Sequence, residues 1–106
     1  NYLMDTAVIP YTADRFSEDA LIFKKLSSSA VSIRSFKNQH AVTLDFEGWP
    51  YLGIWSKPGG APFMCLEPWF GIADHVGHNG ELTRKEGIMR LESGLNFCCE
   101  YGLAFT

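Results

Sequence analysis

One acidic residue, Glu67, stands at the end of an apolar run and is followed at once by a proline and two aromatic residues. The run is Phe63-Met-Cys-Leu66, and the residues after the glutamate are Pro68, Trp69 and Phe70. A carboxylate held beside aromatic rings at the end of a buried strand is partly desolvated, which suits a general acid or base. The rings also offer flat apolar faces that pack against the C–H faces of a sugar. The segment is therefore compatible with a proton-transferring carboxylate beside a surface that can pack against a sugar ring.

The same residue types also fit a purely structural role. In that alternative Glu67 forms an ion pair with Lys57 or Arg84, and Trp69 belongs to the hydrophobic core. A buried carboxylate requires such a partner when no ligand or water satisfies it. Residue types alone favour this structural role.

The elements that position these side chains are expected to be β-strands, because apolar and polar residues alternate through most of the chain from residue 30 onward. Two alternating runs at 30–36 and 41–46, joined by a short polar link, predict a β-hairpin. A further strand is expected at 51–56, closed by the turn signal Lys57-Pro-Gly-Gly60. The run 63–66 is apolar on both faces and predicts a strand in the centre of a sheet. The longest alternation covers 96–105.

The rest of the chain gives weaker signals. A short helical turn near 13–18 is expected to lead into a strand at 20–23, with acidic residues early and lysines late, as the helix dipole favours. Residues 71–86 predict a long loop of the kind that carries function, and 89–91 predict a brief strand. We therefore expect a mainly β, antiparallel fold, a β-sandwich or a part of one, in a single β domain over 1–106.

Composition excludes several classes of function. The 106 residues carry a net charge of −3 with no block of Lys or Arg, which argues against nucleic acid and anionic membranes as partners. No apolar run reaches the roughly 18 residues of a membrane span, and no leader segment is recognisable. Dinucleotide and P-loop motifs are absent, so we expect no cofactor. The chain has three cysteines, which we interpret as reduced, half-buried thiols of a cytoplasmic protein. A zinc site of Cys65, His75 and His78 is the less favoured alternative, and we expect no metal.

Four short segments resemble one known family. They are Gly53-Ile-Trp-Ser56, Ala61-Pro-Phe63, Cys65-Leu-Glu-Pro-Trp69 with Gly71 and Asp74, and Lys85-Glu-Gly-Ile88. Together with Asp19-Ala-Leu-Ile-Phe23 they resemble the aldose 1-epimerase (galactose mutarotase) superfamily, and within it the LacX-type branch of bacterial epimerase-like proteins. The likeness corresponds to the C-terminal portion of that family, so the fold it implies is the C-terminal part of a larger β-sandwich, the galactose mutarotase-like supersandwich.

The resemblance implies a reaction and roles for several residues. Family members interconvert the α and β anomers of a free aldose without metal or nucleotide, in an open cleft on one sheet. A glutamate removes the proton of the anomeric hydroxyl while a histidine protonates the ring oxygen, so that the ring opens and closes again. Glu67 matches that general base. Trp69, Asp19 and Trp55 are the expected substrate-binding residues, and the expected ligand is a monosaccharide, a hexose.

The chain departs from the family in its histidines. The family's acid histidine lies upstream of the glutamate, in a stretch with no counterpart here. His40 lies in a predicted turn, and His75 and His78 follow Glu67, so we interpret all three as exposed loop residues. We therefore expect the chain alone to be inactive, and to associate with itself or with the missing N-terminal segment. A non-catalytic carbohydrate-binding module and a purely structural β domain for protein assembly remain alternatives.

Overall fold

The computed structural model describes residues 7–106, and its regular structure is almost entirely β. Residues 13–18 form successive tight turns that lead into the first strand, as the sequence predicted. A single turn of 3-10 helix, Leu82–Arg84, lies in the loop before the last strand. The six strands are β1 Leu21–Lys24, β2 Ala30–Arg34, β3 Ala41–Asp45, β4 Tyr51–Trp55, β5 Cys65–Trp69 and β6 Gly102–Phe105.

The strands form two antiparallel three-stranded sheets. Sheet A has the order β1-β4-β5 and sheet B the order β2-β3-β6. The predicted hairpin is confirmed, because β2 and β3 pair antiparallel with Val31 opposite Leu44. The C-terminal strand returns to the same sheet, where Leu103 lies opposite Leu44. The mainly β, antiparallel class is therefore confirmed, and two facing sheets are consistent with a β-sandwich.

A small hydrophobic core joins the two sheets. Leu44 of β3 is 1% exposed and packs in one cluster with Leu52 and Ile54 of β4. Phe46, just after β3, and Phe16, from the turns before β1, complete the cluster. Strand alternation explains the pattern, since residues two apart on a strand share a face.

Two expectations about strands were wrong. The run 63–66 was predicted as a central strand, but β5 begins at Cys65, continues through Pro68 and lies at the edge of sheet A. Proline lacks a backbone N–H, so it fits an edge strand on the side that has no neighbour. The strand expected at 89–91 is absent, and these residues are exposed and irregular.

The C-terminal segment is ordered as an extended chain but poorly covered. The alternation at 96–105 becomes a strand only at Gly102–Phe105, where β3 offers a partner. Every residue from 88 to 106 is exposed, including Leu103 at 51% and Phe105 at 74%. The described residues contain no helix with the length and apolarity that crossing a bilayer requires.

Candidate functional site

Glu67 lies in the middle of β5 on the outer face of sheet A. Leu66 points to the opposite face, where it packs against the core. Alternation puts Cys65 and Trp69 on the same side as Glu67. The carboxylate is therefore carried by a strand whose other face is anchored in the core, which fixes its position.

The indole of Trp69 lies beside this carboxylate. Its Nε1–H donates a hydrogen bond to Glu67 Oε2 at 3.1 Å. Gly53 of β4 is the cross-strand partner of Glu67, and a Cβ built at Gly53 would lie 2.6 Å from Trp69 Cζ2. A glycine is thus required here because the indole lies directly against the strand backbone.

Glu67 has no cationic partner among residues 7–106. The ion pair considered with Lys57 or Arg84 is not formed, and Arg84 Nε instead lies 3.5 Å from Glu81. Trp69 is the one side chain of the described residues that hydrogen-bonds Glu67, and it engages Oε2, so Oε1 has no side-chain hydrogen-bond partner among them. The side chain is half-buried. A carboxylate in this state can accept a hydrogen bond from a ligand hydroxyl.

A shallow concavity begins at Trp69. It has a volume of about 580 Å³ and is lined by residues 68–73 and Lys85. The concavity is open to solvent over most of its extent, so a ligand there would lie on the surface of the protein. The concavity has an aromatic wall at Trp69 and Phe70 and a cationic group at Lys85, so it combines an apolar face with a strong hydrogen-bond donor.

Three polar side chains of the following loop come together beyond Lys85. Lys85 Nζ lies 3.4 Å from Asp74 Oδ1, and His78 Nδ1 lies 3.6 Å from Asp74 Oδ2. The backbone N–H of Gly80 donates to His78 Nδ1 at 3.0 Å. This bond requires a lone pair on Nδ1, so a neutral ring carries its proton on Nε2.

His78 differs from the expectation of an exposed loop residue. Its side chain is 5% exposed, and Nε2 is buried without a hydrogen-bond partner among residues 7–106. An unpartnered buried donor costs about 1–3 kcal/mol. His75 is exposed as expected, and its ring meets that of His78 edge to face with centroids 5.3 Å apart. Sequence reasoning missed this cluster because a histidine in a polar loop gives no sign of burial.

The other predicted site residues are placed as follows. Trp55 is the cross-strand partner of Cys65, next to Glu67 along the strands, and its ring packs near Phe63 and the core. Asp19 is exposed, with φ of 89°, and its Oδ1 accepts a hydrogen bond from the N–H of Ala20 at 2.8 Å. His40 is exposed at the end of the β2–β3 turn, as expected. Trp69 and Trp55 thus lie on the sheet that carries Glu67, while Asp19 stabilises its own turn.

No metal-binding cluster is present within residues 7–106: no three His, Cys, Asp or Glu side chains of that range converge as ligands. Cys65 is a half-buried free thiol, as expected. The expectation of half-buried thiols was wrong for Cys98 and Cys99, which are exposed because the C-terminal segment that carries them is poorly covered. The zinc site considered from Cys65, His75 and His78 is therefore not formed by the described residues.

The fold and the site define a class: a mainly β protein that presents a half-buried carboxylate and an indole together on the outer face of one sheet. Sequence comparison gives the particular relationship. The chain is similar to protein LacX of Lactococcus lactis subsp. lactis, in its plasmid and chromosomal forms, with 33% identity over 76 residues in each case. The expected LacX-type relationship is therefore confirmed.

The match covers 72% of this chain but 25% of each LacX protein, so the chain spans about a quarter of the length of the curated relatives it matches. No protein-family model matches the chain, and no solved structure matches it significantly.

Proposed function

We propose that these residues are part of an aldose 1-epimerase-like isomerase in carbohydrate metabolism, which interconverts the α and β anomers of a free hexose. Glu67 is the general base and removes the proton of the anomeric hydroxyl. The observation that supports this role is the carboxylate itself, held on β5 by Trp69 and free of any ion pair with residues 7–106. A general base of this kind contributes about 10²–10⁴-fold to the rate.

Trp69 has two tasks in this proposal. Its Nε1–H orients Glu67 Oε2, which leaves Oε1 to accept the hydroxyl proton. Its ring forms a wall of the concavity, and there it stacks on the C–H face of the sugar and excludes water from one side. Trp55, on the same sheet, extends the aromatic surface.

The acid that protonates the ring oxygen lies outside this chain in our proposal. Trp69 is the one side chain of the described part that hydrogen-bonds Glu67. His40 lies in the turn between β2 and β3, on the other sheet. A second candidate function is a non-catalytic carbohydrate-binding module that uses the same concavity without proton transfer, and its support is the aromatic wall at Trp69 and Phe70.

We also propose that residues 1–106 form one β domain that is the C-terminal part of a larger sandwich, consistent with the exposed apolar residues between 88 and 106. A further segment of polypeptide, of the kind that makes up the rest of LacX-length proteins, covers these residues. The chain produced alone is then inactive.

Polarimetry tests the reaction. Mutarotation of freshly dissolved α-D-glucose and α-D-galactose is followed with the longest natural polypeptide that carries these residues, as wild type and as Glu67→Gln. We expect the wild type to exceed the buffer rate and the variant to lose at least 100-fold. Wild-type protein that only matches buffer, while sugars still change its tryptophan fluorescence, would leave the binding module as the function.

A further inference from the structure

We infer that Lys85 and Asp74 form a polar subsite that binds two neighbouring hydroxyl groups of a neutral monosaccharide stacked on Trp69. This inference rests on the proposed function and assigns roles to two residues that catalysis by Glu67 does not require. Both residues lie in the loop between β5 and β6, and Lys85 lines the same concavity as Trp69.

Lys85 has free hydrogen-bonding capacity. Its ammonium group carries three N–H donors, and its one ionic partner among residues 7–106 is Asp74, with Nζ 3.4 Å from Oδ1. That distance exceeds the 2.7–2.9 Å of a tight charge-assisted hydrogen bond. The side chain of Lys85 is 29% exposed and that of Asp74 49% exposed. Both groups are therefore close enough to act together and open enough to meet a ligand.

The two charges match the chemistry of a vicinal diol. A sugar hydroxyl both donates and accepts, so one hydroxyl donates to the Asp74 carboxylate while its neighbour accepts from the Lys85 ammonium. The pair has no net charge, so it matches a neutral polyol, which offers both donors and acceptors.

His78 lies behind Asp74 in the same loop, and its ring is nearly buried. Its Nδ1 accepts the Gly80 N–H and lies 3.6 Å from Asp74 Oδ2. With a neutral ring, Nδ1 and Oδ2 are both hydrogen-bond acceptors, so His78 does not donate to Asp74. The subsite therefore rests on Lys85 and Asp74 themselves.

The test is a titration of tryptophan fluorescence with D-glucose, D-galactose and their monodeoxy analogues. Lys85→Met and Asp74→Asn are compared with wild type and with the control Lys57→Met, which removes an exposed lysine in a turn. We expect each subsite variant to bind the parent sugar at least tenfold more weakly and the control to bind as wild type does. One deoxy sugar, which lacks the hydroxyl that Lys85 contacts, should bind to wild type and Lys85→Met equally well.

Two further measurements separate the possible failures. Circular dichroism and Lys85→Arg, which retains the charge and should retain most of the affinity, control for misfolding of the loop. If wild type binds sugars and Trp69→Phe weakens binding while Lys85→Met and Asp74→Asn do not, the subsite is overturned and the proposed function stands. If folded wild type binds none of the sugars, both are overturned.

Discussion

Replacing Gly53 by alanine tests the closest contact of the proposed site. The added Cβ would lie 2.6 Å from Trp69 Cζ2 and 2.9 Å from Cε2 and Cη2. Carbon atoms normally pack about 3.5–4.0 Å apart, so the indole must move by roughly 1 Å. That movement lengthens the 3.1 Å bond from Trp69 Nε1 to Glu67 Oε2 beyond hydrogen-bonding range.

The size of the effect follows from two alternatives. If the indole stays in place, the overpacking costs about 1–3 kcal/mol. If the indole moves, its hydrogen bond to the charged Glu67 carboxylate is lost, and a hydrogen bond of that kind contributes about 1.5–3 kcal/mol. The variant adopts whichever of the two arrangements has the lower free energy, so the two costs do not add. Alanine also reduces the conformational entropy of the unfolded chain, which stabilises the folded state by about 0.4–1 kcal/mol. We expect Gly53→Ala to lower the free energy of unfolding by about 1–2 kcal/mol.

The assay is urea unfolding monitored by tryptophan fluorescence, combined with a double-mutant cycle. Gly71→Ala is the matched control, because nothing lies within 4 Å of its added Cβ and its φ is not positive. In a Trp69→Ala background the cost of Gly53→Ala should fall to within about 0.5 kcal/mol of zero, since no ring remains to be displaced. An unchanged cost in that background, or one equal to that of Gly71→Ala, would refute the contact between Gly53 and the indole.

Two further outcomes test the fold. Leu44→Ala removes the most deeply buried apolar side chain of β3. It should lower the free energy of unfolding by about 2–5 kcal/mol, as measured by thermal or urea unfolding. A loss below about 1 kcal/mol would contradict the burial of Leu44 in the core. The 106-residue chain produced alone should self-associate through its exposed apolar residues, as measured by gel filtration with light scattering. Replacing both Leu103 and Phe105 by glutamate should shift the chain toward monomer in the same assay. A stable wild-type monomer would contradict the proposed incomplete sandwich.

Local alternation predicted the hairpin, because β2 and β3 are neighbours in sequence and their pairing needs only a short turn. It failed for the C-terminal run 96–105, because a strand also needs a partner. β3 ends at Asp45, which lies opposite Gly102, so residues before 102 have no strand to pair with. Pairing partners far apart in sequence are not encoded in the local pattern.

At the candidate site, too, the local sequence predicts some features and not others. The segment Glu67-Pro-Trp69 predicts a carboxylate beside an indole, and the hydrogen bond between the two side chains shows that they are close. The reason for Gly53 was not visible in its own strand, because the ring that excludes a Cβ comes from the neighbouring strand. The burial of His78 was also hidden, since it depends on how a long loop folds back on itself.

The exposed part of sheet B and the carboxylate of Glu67 belong to different sheets. Leu44 and Leu103 are cross-strand partners and share a face of sheet B, yet Leu44 is 1% exposed and Leu103 51% exposed. Sheet A therefore covers only part of this apolar face, in keeping with an accessible surface of 8580 Å², against about 5,900 Å² expected for a compact monomer of this mass. Glu67 instead lies on the outer face of sheet A, because its neighbour Leu66 faces the core. Phe70, beside Trp69 in the wall of the concavity, packs against Phe97 of the exposed segment with ring centroids 4.9 Å apart. The exposed surface therefore reaches one edge of the proposed site, although Leu103 and Glu67 lie on different sheets.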